Sequence, residues 1–341
     1  MVSKEWNLPS RNWADSLVRQ AEAPWFSQRS ANSSIGPSNG SRNMNFPVND
    51  VRNGPTFSEK IDRHEWSQLG CERYVREYVD PLKPVVITGA LDHWPARSKW
   101  TLDFFKNYYG DLPLEVDGRH LSMAQLIAEV LTSTPHAPAP YLRNYPVKDL
   151  PGALQADIAP MPSCTGPNWL DHPLITARAS LTFTELYIGG NGAKFPVLHY
   201  DGLHTHAFLM QIQGVKEYIG FAPDQTPYMY RRSGSEQANV SEVNDIENWD
   251  TNRFALFGNA KGVRFTLHPG ETLFMPSGWW HTARILSPSI TVSINGANAA
   301  NWSDFRMDFC RYYMTGRKLP PWLVNAYLVF VGKWLALVAP Y

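Results

Sequence analysis

Between Leu181 and Ile294 the apolar residues fall in short runs cut by Gly, Pro and Asp, each too brief for a helix. Leu181–Ile188, Pro196–Tyr200, Phe208–Ile212, Glu217–Phe221, Val263–Leu267, Thr272–Met275, His281–Ile285 and Ile290–Ile294 each predict a β-strand. No helical period separates them, so they belong in an antiparallel sandwich or barrel and not in βαβ units. The first half reads differently. Ser58–Val79 and Trp100–Tyr109 predict helices, and Pro84–Gly89 a short buried strand ending in a turn. Ser122 and Gln125 form a capping box ahead of Met123, Leu126, Ile127, Val130 and Leu131, a further helix. Ser303–Tyr313 and the segment from Pro321 predict two closing helices. The polar stretch Pro227–Gly262, rich in Ser, Asn, Glu and Arg, reads as a surface excursion, where substrate contacts often lie.

These patterns divide the chain into an N-terminal extension over 1–56, a folded domain over 57–300 and a helical segment over 301–341. Ser27–Asn43 is too polar to bury and reads as a disordered linker. Trp322–Val338 is strongly apolar but carries Asn325 and Lys333, and a lysine near its middle is costly in lipid. A helix packed on its own domain, or a homodimer face built from Trp322, Leu323, Tyr327, Phe330, Val331 and Trp334, is favoured over a membrane tail.

Composition narrows the classes. Among 341 residues, Lys plus Arg and Asp plus Glu number 31 each, so no net field draws the chain to nucleic acid or an anionic membrane. Cys71, Cys164 and Cys310 show neither zinc spacing nor a disulfide framework, which suits a reducing compartment. Lys4, Glu5 and Trp6 open no signal peptide, so the expected location is cytoplasmic, or nuclear in a eukaryote.

The candidate chemistry starts at His199-Tyr200-Asp201. On a strand, residues two apart share a face, so His199 and Asp201 can aim at one point while Tyr200 turns away. His281, after the aromatic Trp279-Trp280, opens another β-run 82 positions later. Two imidazoles and a carboxylate on one side of a metal leave coordination positions open, the facial arrangement of non-heme Fe(II) oxygenases. Lys216 could pair with the far carboxylate of a dicarboxylate cosubstrate, against the alternative of a solvated strand-edge lysine. Tyr141 could donate to the same carboxylate or simply fill the core. Asn295 could reach metal-bound oxygens or end a strand. His204-Thr205-His206 is a rival metal motif, but the Glu expected after it is missing from Ala207–Gln211, so both histidines are expected at the mouth of the site. His268, in a turn before Pro269-Gly270, is expected to be structural.

Three blocks then carry a resemblance: Phe195-Pro196-Val197-Leu198-His199-Tyr200-Asp201, Gln211–Tyr218 and Pro269–His281. Together with Pro84–Leu91 and Trp94-Pro95, they resemble the JmjC/cupin-like 2-oxoglutarate oxygenases, in the branch containing the asparaginyl hydroxylase of hypoxia-inducible factor. The resemblance covers roughly residues 57 to 300 and implies a mainly β fold: a double-stranded β-helix, or jelly-roll/cupin-like barrel, with flanking helices. It implies that His199, Asp201 and His281 hold Fe(II), that Lys216 and Tyr141 bind 2-oxoglutarate, and that Asn295 lies beside the cosubstrate. Two departures bear on cosubstrate geometry. Pro196 replaces a family threonine, and the longer segment after Asp201 leaves Thr205 or His206 in place of a family asparagine. The implied reaction hydroxylates a C–H bond, of a protein side chain in the leading reading, with dioxygen consumed and succinate and carbon dioxide released. The alternatives are an N-methyl-lysine demethylase, a small-molecule or RNA-base hydroxylase, and a non-catalytic cupin-like binding module.

Overall fold

The structure, a computed structural model, describes residues 54–176, 184–233, 238–313 and 320–340. The expected linker over Ser27–Asn43 and the start of the run at Leu181 lie outside them. Two sheets form the body. One has the order β1-β10-β9-β12, from β1 (Thr56–Ser58), β10 (Lys261–Leu267), β9 (Lys216–Phe221) and β12 (Trp280–Ile285). The other has the order β2-β3-β11-β8-β13-β7-β6. It runs from β2 (Asp62–Glu65) and β3 (Val85–Thr88) through β11 (Thr272–Met275), β8 (His206–Gln213) and β13 (Ser289–Gly296) to β7 (Thr184–Gly189) and β6 (Leu142–Pro146). A separate hairpin joins β4 (Pro113–Val116) to β5 (Arg119–Ser122) around Asp117-Gly118. The described strands therefore form two mainly antiparallel sheets and not one closed barrel.

Period-two alternation decides what each face does. Phe208, Met210 and Ile212 of β8, Ile290, Val292 and Ile294 of β13, and Leu186 and Ile188 of β7 join one core with Leu102, Phe105, Leu126, Ile127 and Val130 of the N-terminal helices. The opposite face turns toward the smaller sheet. There Val86, Ala207, Leu273 and Met275 meet Tyr218, Phe265 and Leu267. Farther across, the same face becomes polar: Gln211, Thr291, Ser293 and Asn295. A one-residue slip of β13 would drive its three aliphatic side chains into the polar space between the sheets and bury Thr291, Ser293 and Asn295 in the apolar core, so the register is strongly fixed. Polar groups are thereby held between the sheets by the packing behind them.

Several local expectations are corrected. Ser58–Val79 is not one helix: β1 and β2 pair in parallel with β10 and β3, and helical turns begin only at Trp66. The polar Asp-Arg-His-Glu of β2 carries no strand pattern of its own; its neighbour imposes one. Pro196–Tyr200 is not a regular strand, and only His199 makes β-bridges there, to His281 and Val240. The 227–262 excursion is not merely a polar surface loop. Val243, Ile246, Phe254 and Phe257 are buried with Tyr200, Ile219, Phe221 and Trp280 behind the smaller sheet. The capping box at Ser122 and Gln125 forms as expected.

The helix Pro321–Val338 is long and apolar enough to cross a membrane, yet it packs on the chain's own domain. Leu328, Val331 and Leu335 join Trp169, Leu170, Trp302 and Phe305 in a core. Tyr327 donates its hydroxyl to Leu174 O at 2.8 Å. Val331 is thus withdrawn from the expected dimer face: it is fully buried in this core, whereas Trp322, Phe330 and Trp334 are exposed.

Candidate metal and cosubstrate site

His199 lies outside β12, at the edge of the smaller sheet, and its backbone exchanges hydrogen bonds with His281: His199 N to His281 O at 3.1 Å and the reverse at 2.6 Å. On its other side, Ser241 N donates to Leu198 O and Tyr200 N donates to Asn239 O. The ligand segment is gripped between β12 and the excursion. This places ligand atoms of His199, Asp201 and His281 within 4.8 Å of one another, with His281 Nε2 3.7 Å from Asp201 Oδ2.

The tautomers suit a metal. His281 Nδ1 donates to Trp279 O at 2.9 Å and His199 Nδ1 to Val197 O at 3.3 Å, so each Nε2 keeps its lone pair for the cluster. Phe195 stacks on the His199 ring at 4.6 Å. Burial, and then the neighbouring His281, pull the His199 imidazole down to about 3, so it stays neutral through the physiological range. Burial raises Asp201, opposed by His281 and by a hydrogen bond from Asn295. Asn295 Nδ2 also donates to Thr205 Oγ1 at 3.0 Å, which draws both expected residues to the carboxylate's side.

Lys216 is 2% exposed and lies between the sheets. Its Nζ donates to Tyr141 OH at 2.9 Å and lies 5.3 and 5.5 Å from the Tyr141 and Tyr187 ring centroids. Desolvation pulls its ammonium down to about 7. The expectation of a possible strand-edge lysine is excluded by this burial. A buried ammonium facing a phenol and two ring faces is built to receive an anion, because one neutral hydroxyl cannot repay its desolvation.

The two other histidines of the rival motif do not join the cluster. His206 is fully buried in β8, not at the mouth: Ser277 N–H donates to its Nδ1 at 3.0 Å, and its Nε2 lies 3.2 Å from Asn298 Oδ1. It pins the turn ahead of β12. His204 Nδ1 pairs with Asp308 Oδ2 at 2.5 Å, tying the ligand loop to the helix Trp302–Asp308. His268 takes a turn role, 3.0 Å from Thr266 Oγ1.

Three residues without a motif gather at the edge of this face: buried Tyr187, half-buried Glu185 and exposed Asn144. Tyr187 and Glu185 of β7 pair with Thr291 and Ser293 of β13. Asn144, in a β6 bulge at φ 54°, donates Nδ2 to Glu185 Oε2 and Tyr187 OH, both at 2.9 Å. The alternation Glu185-Leu186-Tyr187-Ile188 carried the signal, polar inward and apolar outward.

The sequence profile described as "Cupin-like domain" matches residues 72–129 and 121–296. Lysine-specific demethylase JMJ30 of Arabidopsis thaliana is 30% identical over 254 residues, covering 70% of this chain and 55% of that protein. Lysine-specific demethylase 8 of Xenopus tropicalis is 30% identical over 234 residues, 65% of this chain and 50% of that protein. HSPB1-associated protein 1 of Homo sapiens is 38% identical over a shorter 113 residues, 33% of this chain and 22% of that protein. The chain spans about half the length of the two demethylases. A cupin-like domain is therefore the class that the sheets and the profile define. Within it, the chain belongs to the JmjC family of Fe(II)- and 2-oxoglutarate-dependent oxygenases. The residues present fit both cofactors: a thiolate-free His-Asp-His set for Fe(II), and a buried lysine with a tyrosine hydroxyl for a carboxylate.

Proposed function

We propose that this chain hydroxylates a C–H bond of a protein side chain, turning 2-oxoglutarate and dioxygen into succinate and carbon dioxide. The observation that carries the reading is the pairing of two built sites on one inner face: the His199, Asp201 and His281 cluster, and the Lys216–Tyr141 pair. When bound, Fe(II) and 2-oxoglutarate supply the oxidising chemistry. His199 and His281 present their Nε2 lone pairs and Asp201 its carboxylate, while Asn295 holds that carboxylate in place. Lys216 and Tyr141 grip the far carboxylate of 2-oxoglutarate and so set which end of it reaches the metal. Thr205 positions Asn295. The apolar walls behind β12 exclude water from the metal's flank.

Anaerobic addition of Fe(II) and 2-oxoglutarate should produce a weak visible charge-transfer band, and His199→Ala should abolish both the band and succinate formation. A well-folded protein with no band, or a variant with retained turnover, refutes the assignment.

The relatives' names favour a second reading, N-methyl-lysine demethylation, and one relative is an "Arginine-specific demethylase JMJ22" of Arabidopsis thaliana. Hydroxylation of an N-methyl carbon ends in loss of formaldehyde, whereas side-chain hydroxylation leaves a stable gain of one oxygen. Mass spectrometry of modified substrate, with a formaldehyde assay, separates the two.

A further inference from the structure

The loop that follows Asp201 takes a conformation its own sequence does not favour. Leu203 and His204 stand at φ 57° and 49°, two successive non-glycine residues in the left-handed region. Such a turn persists only where its surroundings over-determine it. The restraints come from outside the two sheets, from the terminal helical segment. His204 Nδ1 donates to Oδ2 of the buried Asp308 at 2.5 Å. Asn301, also buried, donates Nδ2 to His204 O at 2.9 Å, while its Oδ1 accepts from Asn298 N at 2.8 Å. Leu203 packs against the core that Trp302 and Phe305 share with the helix Pro321–Val338. Thr205 then passes the restraint inward: its Oγ1 accepts from Asn295, which also bonds the Asp201 carboxylate. On the other side, the His204 ring lies 4.6 Å from the ring of Tyr200, the residue between His199 and Asp201. The turn is therefore fastened to the terminal segment at one end and to the neighbours of a metal ligand at the other.

We propose that Asp308 and Asn301 are positioning residues of the metal centre, holding Leu203-His204 left-handed so that the Asp201 carboxylate faces His199 and His281. This rests on the metal reading of those three residues and goes beyond it. The terminal segment contributes no ligand to the cluster, yet the cluster is aimed only while that segment is docked.

The test is made on the full chain, with Mn(II) as the probe. Mn(II) affinity is measured by calorimetry, and amide hydrogen exchange of residues 202–205 is measured in the metal-free protein by mass spectrometry. Asp308→Ala and His204→Ala should each weaken Mn(II) by about tenfold or more, as expected for loss of a hydrogen bond to a charged group. Both should also speed exchange across the turn. Because the two side chains make one contact, the double variant should bind within about 2-fold of the weaker single variant. Asp308→Asn keeps an oxygen to accept from Nδ1 and should recover to within about 3-fold of the unaltered protein, a rescue that general loosening of the helix would not give. His204 is half-buried, and its variant supplies the test if Asp308→Ala does not fold. Unchanged Mn(II) affinity in both alanine variants, additive losses in the double variant, or unchanged exchange in Asp308→Ala overturns the proposal. An unaltered protein that binds no Mn(II) would sink the metal reading and the role built on it. Failure of the clamp alone shows instead as equally tight Mn(II) binding in the unaltered protein and both variants.

Discussion

Binding of 2-oxoglutarate should take up a proton, and the amount should depend on pH in a way that Lys216 alone dictates. Without an anion beside it, the buried ammonium titrates at about 7. A carboxylate docked against it favours the charged form and returns the group toward the ordinary lysine range, about 10.4. At pH 8, about 0.1 of the free protein carries the charge while nearly all of the complex does, so binding should absorb about 0.9 proton. At pH 6 the lysine is already charged, and uptake should fall to about 0.1 proton. The apparent affinity should accordingly weaken toward tenfold per pH unit above 7. Calorimetric titration of Mn(II)-saturated protein, in buffers of differing protonation enthalpy, measures the uptake directly. Lys216→Arg carries a permanently charged guanidinium and should take up no proton at either pH. Uptake that is flat between pH 6 and 8 in the unaltered protein, or unchanged in Lys216→Arg, would refute Lys216 as the anchoring charge.

Three further outcomes follow from the same geometry. Lys216→Met should stabilise the ligand-free protein by up to about 4 kcal/mol near neutral pH, since it removes an ammonium that burial pulls down to about 7, while weakening 2-oxoglutarate at least tenfold; thermal unfolding and calorimetry check the two halves. The sign with pH is fixed as well. Lys216 binds its proton more tightly unfolded than folded, so ligand-free stability should rise from about pH 7 toward 10, and that slope should flatten in Lys216→Met. Gly189→Ala would bring a Cβ to 2.5 Å from Ile285 Cδ1 and 2.7 Å from Tyr141 Cδ2, so 2-oxoglutarate affinity should fall while Mn(II) affinity holds; equal loss of both would contradict the assignment of Tyr141. Gly332→Ala would overlap the Trp302 indole that bonds Leu328 O, costing about 1–3 kcal/mol by overpacking, and an unchanged melting temperature would show that the terminal helix does not need that contact.

The sequence revealed more of the site than of the frame that holds it. Short β-runs separated by Gly and Pro announced β8, β9, β11 and β13 because those strands are buried on both faces, and burial leaves apolar runs. β2 left none: its Asp-Arg-His-Glu is a strand only because β3 lies beside it. The β4–β5 hairpin was missed in the sequence, although Asp117-Gly118 is a hairpin-turn signal. The ligands were readable as types and spacing, but the reasoning from strand geometry was only half right. His199 and Asp201 converge because two backbone bridges hold an irregular segment, not because a strand alternates there. The Lys216–Tyr141 pairing spans 75 positions and could come only from resemblance. His206 misled because a histidine beside a turn reads as exposed, whereas two hydrogen bonds satisfy its ring inside β8.

The interleaving of β13 bears on how such an enzyme can change over time. Thr291, Ser293 and Asn295 answer to the ligands, while Ile290, Val292 and Ile294 answer to the helices behind them. Point replacements at the first set can retune chemistry without loosening the scaffold. Loss or gain of one residue within the strand would exchange the two sets at a stroke. Length variation should therefore be tolerated only in the stretches between strands, and a change of chemistry here should come by substitution within β13, not by insertion.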